Sequence, residues 1–173
     1  MKSRAAGPAP APGAKRRRPA AADLVLLAHI DGGARGNPGP AGYGVHVADG
    51  GGATRAEIYG YLGVTTNNVA EYAALLALLE YARGCGAAAL TVLSDSELLV
   101  RQMSGEYRVK DPRLRVLHAE ARRLAAGLPR VEIRHVRREA NREADALANR
   151  AMDLRESTGS VPAILAALPA SAI

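Results

Sequence analysis

A nearly continuous run of apolar residues at positions 24–30 constrains the fold of this chain more than any other segment. A run of this length, rich in β-branched and leucine residues, is typical of a strand at the buried centre of a sheet. Two further strand-like segments, near residues 43–47 and over 54–62, follow it after glycine-rich turns. Three strands joined by turns predict an antiparallel meander.

The rest of the chain alternates between helix-like and strand-like segments. Leu75, Leu76 and Leu79 recur with helical spacing over residues 68–83, and Gly84 ends that predicted helix. The elements predicted after it are a strand at 88–93, helices at 96–103 and 112–127, a strand at 131–136 and a helix at 141–154. This order of elements predicts an α/β domain with a mixed sheet.

Length and composition set the boundaries of this domain. The 173 residues include 48% hydrophobic but only 3% aromatic residues, so leucine, valine, isoleucine and alanine must form the core. A single domain with tails fits that length, and we assign it to residues 23–154. Residues 1–22 are a basic Ala- and Pro-rich segment that we expect to be disordered. We expect residues 155–173 to form a loose C-terminal tail.

The charge of the chain is concentrated at its N-terminus. The formal net charge is +6, and residues 1–22 contain six basic and no acidic residues, so the remainder is formally neutral. Such a basic arm favours contact with a polyanion. A solvated leader that binds nothing is the alternative interpretation.

Other features of the sequence concern the cellular compartment. The single cysteine, Cys85, cannot form an intrachain disulfide, and this fits a reducing compartment such as the cytoplasm. No apolar stretch approaches the ~18 residues that predict a membrane span. The basic N-terminus does not have the form of a secretory signal, because Asp23 and His29 interrupt the apolar run that follows it.

Four acidic residues lie where predicted strands end or predicted helices begin. Asp31 and Asp95 follow strand-like runs, whereas Glu71 and Asp145 lie in the first turns of helices. Carboxylates at such positions can converge on one edge of a sheet. Like charges raise one another's pKa, so a converged set calls for cations. Magnesium prefers such hard oxygen ligands, and a two-metal carboxylate site indicates in-line phosphoryl chemistry.

Each acid also has an ordinary structural interpretation. Asp31 begins an Asp-Gly turn dipeptide, and Glu71 stands three residues after Asn68, a candidate helix N-cap. Asp95 lies within a Ser-x-x-Glu capping box, and Asp145 could interact with its helix dipole. However, Glu71 shares a helical stripe with leucines four and eight residues later. An unpaired charge facing the core is costly, and a metal would remove that cost.

Four segments together resemble type I ribonuclease H. They are DGGARGNPGPAGYG, TTNNVAEYAALLALLEYA, LSDSELLVRQMSGEY and ANREADALANRA, in this order and spacing, within residues 24–154. The resemblance implies a ribonuclease H-like fold, in which helices flank a five-stranded mixed sheet made of an antiparallel meander and parallel strands. It also implies endonucleolytic hydrolysis of the RNA strand of RNA–DNA hybrids by a two-metal mechanism, leaving 5′-phosphate and 3′-hydroxyl ends.

The resemblance further implies roles for individual residues. The metal-binding catalytic carboxylates would be Asp31, Glu71, Asp95 and Asp145. They would hold two Mg²⁺ ions, for which Mn²⁺ could substitute. The substrate contacts would be Asn37, Asn67 and Asn68, with Thr66 and Ser96 as further backbone contacts. Asparagine amides can recognise a 2′-hydroxyl, the group that distinguishes RNA from DNA, although loop and capping chemistry is the alternative for Asn67 and Asn68.

The chain also departs from many type I enzymes. Residues 103–115 lack the basic, Trp-rich protrusion, and the short segment 136–141 lacks a flexible histidine. We therefore expect a compact subgroup found in some bacteria and archaea. We interpret His135 as a structural strand residue. The basic residues around it are Arg137, Arg138 and Arg142, which could contact phosphates or form a solvated loop.

The expected partner is an RNA–DNA hybrid, with other RNA-containing duplexes as further candidates, bound by a monomer that does not contact membranes. Two competing functions remain: a related structure-specific nuclease on the same fold, and a catalytically silent hybrid-binding module. Fold alone would not separate them. The Thr-Thr-Asn-Asn segment favours the ribonuclease, and the presence of all four acids argues against a silent module.

Overall fold

A five-stranded mixed sheet with strand order β3-β2-β1-β4-β5 organises the computed structural model, which describes residues 23–168. The strands are β1 (Val25–Ala34), β2 (Gly39–Asp49), β3 (Thr54–Thr65), β4 (Ala89–Ser94) and β5 (Val131–His135). The helices are α1 (Asn67–Gly84), α2 (Glu97–Ser104), α3 (Pro112–Ala126) and α4 (Arg142–Leu154), with short 3₁₀ turns at Arg138–Ala140 and Ala163–Ala167. The predicted disordered arm, residues 1–22, lies outside the described residues.

The strand pairing has two parts, as the order of elements predicts. β1, β2 and β3 pair antiparallel as a meander, whereas β4 pairs parallel with both β1 and β5. This confirms the predicted fold class. It also aligns the C-terminal ends of β1, β4 and β5 at one edge of the sheet, because parallel strands run in the same direction.

The main core lies between α1 and one face of the sheet. Successive residues of a strand point to opposite faces. Tyr43 and Val45 of β2 therefore join the leucine-rich core with α1, whereas Gly42 and Gly44 contact α4 on the other face. α1 is buried on nearly all sides because it also packs against α3.

At its beginning, the apolar run that predicts a buried central strand is buried on only one of its two faces. Leu26 and Ala28 of β1 are fully buried, but Val25 and Leu27 are 48% and 40% exposed. The close contacts of α4 with the sheet lie further along, at Gly42 and Gly44. The run therefore predicts the position of the strand correctly but overstates its burial.

Several glycines of the first motif are contact positions within strands rather than turn residues. The sequence predicts a turn-rich stretch over residues 32–44, but only residues 35–38 lie between β1 and β2, with a cis peptide bond before Pro38. A side chain at Gly32 would clash with the backbone of Ala70 and Glu71 in α1. Glycine at this position lets helix and strand approach closely.

Residues 157–168, part of the segment that we expect to form a loose tail, contact β3 and the core. The Thr158 amide donates to the Tyr59 carbonyl (2.9 Å), and the Tyr61 amide donates to Ser157 Oγ (3.0 Å). These contacts satisfy backbone groups on the outer edge of β3, which would otherwise have no neighbouring strand. Ile164 and Leu165 then pack against the core. Residues 169–173 lie outside the described residues.

None of the helices within residues 23–168 combines the length and the apolar character that crossing a membrane requires.

Candidate active site

Three of the four predicted acids converge at the C-terminal edge of the central strands. Ile30 of β1 is paired with Ser94 of β4, so the residues that follow them, Asp31 and Asp95, lie side by side. Glu71 reaches the same point from the second turn of α1. Carboxylate oxygens of Asp31, Glu71 and Asp95 all lie within 4.8 Å of one another. The strand-end positions seen in the sequence thus form one site.

The fourth acid, Asp145, lies beside this group rather than within it. It occupies the first turn of α4, close enough for its charge to raise the pKa of Asp31. It does not belong to the set of mutually close carboxylate oxygens. Arg138, on the segment before α4, approaches Asp145 to 3.9 Å. Asp145 therefore joins the acidic cleft at its exposed side.

The two buried acids resist ionisation. Burial, followed by the charges of Asp95 and Asp145, raises the pKa of Asp31 to about 8, although the Gly32 amide partly opposes the shift. Burial, then the charges of Asp31 and Asp95, raises the pKa of Glu71 well above its usual range. Glu71 Oε2 is buried without a hydrogen-bond partner.

The donor set fits a divalent metal ion. Three convergent carboxylates are the hard oxygen ligands that magnesium prefers. A cation among them would compensate the mutual repulsion that raises their pKa values, and it would also give the orphaned oxygen of Glu71 a partner.

The helix caps exclude the capping interpretations of Glu71 and Asp95. Thr66 caps α1 by accepting from the Val69 amide (3.3 Å), so Asn68 is not the N-cap. Ser96 caps α2 by accepting from the Leu99 amide (3.2 Å). Neither acid takes part in these caps, so the carboxylates of Glu71 and Asp95 are free to face the cleft.

Two predicted substrate residues are fixed by their side-chain oxygens. Asn67 Oδ1 accepts from the Ala34 amide (2.6 Å), and Asn37 Oδ1 accepts from the Asn67 amide (3.1 Å). These bonds connect the turn after β1 to the start of α1, and they orient the amide NH₂ groups as donors.

A cleft of about 790 Å³ surrounds the acids. Among the predicted substrate residues, Asn67, Asn68 and Ser96 line it, whereas Asn37 and Thr66 do not. Thr66 instead acts as the N-cap of α1. Asn37 is exposed in the turn between β1 and β2, where it contacts Asn67.

Basic residues and one histidine complete the cleft wall. The residues of this kind that line it are Arg35, His135, Arg137 and Arg138. His135 is a strand residue, as the sequence predicts, since it is the last residue of β5, and it also lines the cleft, with Nε2 3.3 Å from the Asp95 carbonyl oxygen. The parallel pairing of β4 with β5 puts His135 opposite Ser94. The signal for this position is a strand that ends in histidine and runs parallel to a strand that ends before an acid.

The chain is similar in sequence and fold to several known proteins. Residues 29–151 match the sequence family described as reverse transcriptase-like. Ribonuclease HI of Halobacterium salinarum is 44% identical over 73% of this chain and 63% of its own length. A crystal structure of RNase H1 from this archaeon has a TM-score of 0.72, at 43% identity, and covers 74% of this chain and 97% of that one. LC11-RNase H1, solved in complex with an RNA/DNA hybrid, has a TM-score of 0.72 at 44% identity. The match covers 75% of this chain and 98% of that one.

A mycobacterial relative is longer. The bifunctional protein Rv2228c of Mycobacterium tuberculosis is 45% identical over 81% of this chain, and the chain spans 39% of that relative's length. The structure of its N-terminal RNase H domain, solved as a fusion with maltose-binding protein, has a TM-score of 0.74 and covers 76% of this chain and 96% of that one.

The five-stranded mixed sheet and its strand order place the chain in the ribonuclease H-like class of proteins. Within that class, the chain belongs to the type I ribonuclease H family. Membership of the compact subgroup stays a prediction.

Proposed function

We propose that this protein is an endoribonuclease that hydrolyses the RNA strand of RNA–DNA hybrids, leaving 5′-phosphate and 3′-hydroxyl ends. The observation that carries the proposal is the group of three carboxylates within 4.8 Å, one of them with a buried oxygen that has no partner. The similarity to LC11-RNase H1, which was solved with an RNA/DNA hybrid, supports the choice of substrate. The single cysteine fits action in the cytoplasm, and we expect a monomer.

The acids would hold the metal ions. Asp31, Glu71 and Asp95 form the tight group, and Asp145 beside Asp31 would extend it towards a second ion. Mg²⁺ is the expected ion, with Mn²⁺ as a substitute. Bound in a pair, such ions lower the pKa of an attacking water and stabilise the leaving oxygen.

The residues around the acids would bind and orient the hybrid. Asn67 and Asn37, fixed by their side-chain oxygens, would present NH₂ donors to 2′-hydroxyls of the RNA strand, and Asn68 would add a third amide. Arg137 and Arg138, which also line the cleft, would contact phosphates. Thr66 and Ser96 serve as helix caps, so we assign them contacts only through the backbone they hold in place.

The activity is tested with a panel of labelled duplexes: an RNA–DNA hybrid, double-stranded RNA and double-stranded DNA, each with and without magnesium. We expect cleavage of the RNA strand of the hybrid only when magnesium is present. Binding of the hybrid without any cleavage would instead support a silent binding module. Cleavage of double-stranded DNA would support a different nuclease on the same fold.

Recognition of the 2′-hydroxyl is tested with a hybrid whose RNA strand carries a run of 2′-deoxy substitutions around the cleavage position. We expect cutting within that run to be lost, because the asparagine amides would have no hydroxyl to bind. Undiminished cutting there would show that the 2′-hydroxyl is not recognised.

A further inference from the structure

Tyr72, the residue that follows Glu71 on α1, makes a buried hydrogen bond to α2. Its hydroxyl donates to Oε1 of Gln102 over 2.8 Å, and the two residues are only 1% and 5% exposed. The bond thus connects the inner sides of two helices.

His118 of α3 also contacts Gln102. Its Nε2 lies 3.1 Å from the backbone carbonyl oxygen of Gln102, and its ring stands edge-on to Tyr72 with centroids 6.4 Å apart. Three helices are therefore joined through two polar contacts at Gln102, next to a largely aliphatic core.

This contact lies next to the acidic site. A narrow gap between α1 and α2 is bordered by Glu71, Tyr72, Ser96 and Gln102, so it extends from the acids to the hydrogen bond. Glu71 is carried by α1, and Asp95 stands two residues before α2 begins at Glu97. The separation of the two carboxylates therefore depends on how α1 and α2 sit against each other.

We propose that the hydrogen bond between Tyr72 and Gln102 is a positioning contact, which holds Glu71 at the distance from Asp95 that a divalent metal ion requires. The inference rests on the proposed function, since it takes cation binding as the purpose of the acidic group. Stability alone does not explain the pair, because replacing both partners of a buried hydrogen bond by apolar groups of the same shape is nearly neutral.

The test is the affinity of the substrate-free protein for Mg²⁺, measured by isothermal titration calorimetry. The variants are Tyr72→Phe, Gln102→Met and the double variant. Loss of one buried hydrogen bond should weaken Mg²⁺ binding about threefold to tenfold in each single variant. The double variant should be no weaker than the single ones, because the same contact is lost.

Tyr43→Phe is the matched control. Tyr43 is also 1% exposed, and the hydroxyl end of its ring lies against Gly60 of β3 with Glu80 nearby. We expect its Mg²⁺ affinity to equal that of the wild type. Urea unfolding of all variants separates a change in affinity from a general loss of stability. Should a single variant fail to fold, the double variant, which leaves neither partner unpaired, provides the same comparison.

The outcomes distinguish this inference from the proposed function. If the wild type binds Mg²⁺ and cleaves hybrids while every variant keeps the affinity of Tyr43→Phe, the positioning role is wrong and the function stands. If the wild type neither binds Mg²⁺ nor cleaves, the proposed function fails, and the positioning role fails with it.

Discussion

Asn141 donates a hydrogen bond from Nδ2 to the backbone carbonyl oxygen of Ile30 over 2.8 Å, and Asn141 is completely buried. Ile30 immediately precedes Asp31 in β1, and Asn141 immediately precedes α4, which carries Asp145. The bond therefore connects the strand of the central acid to the helix of the fourth acid. The second polar atom of this side chain, Oδ1, is buried without a partner.

Asn141→Ala should lower both stability and cleavage. Loss of the bond leaves the Ile30 carbonyl without this donor, which costs about 1–3 kcal/mol of unfolding free energy. Cleavage should also fall, because α4 is no longer fixed to β1 beside Asp31. Urea unfolding and a hybrid-cleavage assay measure the two effects. Glu143→Gln, exposed in the first turn of α4 and outside the lining of the cleft, is the control. Equal stability in both variants would contradict this role for Asn141.

The metal-free protein should lose stability as pH rises. The pKa of Asp31 is raised from an ordinary 3.8 to about 8. Between these two pH values the folded state keeps a proton that the unfolded chain releases. The stabilisation by this proton is complete below the ordinary pKa of 3.8 and is lost as the pH rises to the raised pKa of about 8. Each pH unit across the window removes up to about 1.4 kcal/mol per group. Glu71 acts in the same direction.

Urea unfolding in the presence of a chelator, between pH 5 and pH 8, measures this loss. His29 contributes with the opposite sign, because burial lowers its pKa. The comparison is therefore with Asp31→Asn, which retains His29 and should show a flatter profile. Added Mg²⁺ should restore stability at pH 8, since ligands that bind the folded state stabilise it. Identical stability–pH profiles for the wild type and Asp31→Asn would show that Asp31 is not the source of the pH dependence.

The sequence predicts the elements well because their signals are local. Helical spacing of leucines, glycines at helix ends and runs of β-type residues each depend on a few neighbouring positions. The structure departs from these predictions where contacts are distant in sequence. Glycines such as Gly32 look like turn residues but make room for α1. Ser157 and Thr158 carry no periodic signal, yet they bind the open edge of β3.

The acidic site is predictable for a similar reason. Asp31 and Asp95 directly follow the last residues that pair between β1 and β4, and this pairing follows from the order of the elements, so their approach could be expected. The position of Asp145, outside the group of three close carboxylates, could not be expected from the sequence, because it depends on how α4 packs on Gly42 and Gly44. The roles of Thr66 and Ser96 as caps also required coordinates, because several neighbouring residues could have capped each helix.

The position of Asp145 predicts unequal effects of removing the acids. Glu71→Gln should abolish tight Mg²⁺ binding, because Glu71 belongs to the mutually close carboxylates. Asp145→Asn should retain binding of one ion while cleavage falls, because the group of three remains complete. Calorimetric titration of the two variants with Mg²⁺ tests this order. If Asp145→Asn binds Mg²⁺ no better than Glu71→Gln does, the four acids are equivalent in metal binding and this prediction is wrong.

Residues 1–22 should increase affinity for the hybrid without affecting turnover. They carry six of the basic residues, while the rest of the chain is formally neutral. Each phosphate neutralised changes the slope of log K against log salt by about −0.9 on a duplex. If about three or four charges engage, deleting the arm should flatten the slope by roughly three. An unchanged affinity and slope would identify the arm as a solvated leader.

Single-turnover cleavage of a labelled RNA–DNA hybrid by Asp95→Asn in saturating Mg²⁺ tests the central claim most directly. Asp95 belongs to the group of three carboxylates, and the substitution removes its charge while keeping its shape. Fluorescence anisotropy with the same hybrid reports whether the fold and the binding surface are retained. We expect no detectable cleavage with binding preserved. Cleavage at the wild-type rate would contradict a mechanism based on this acidic group.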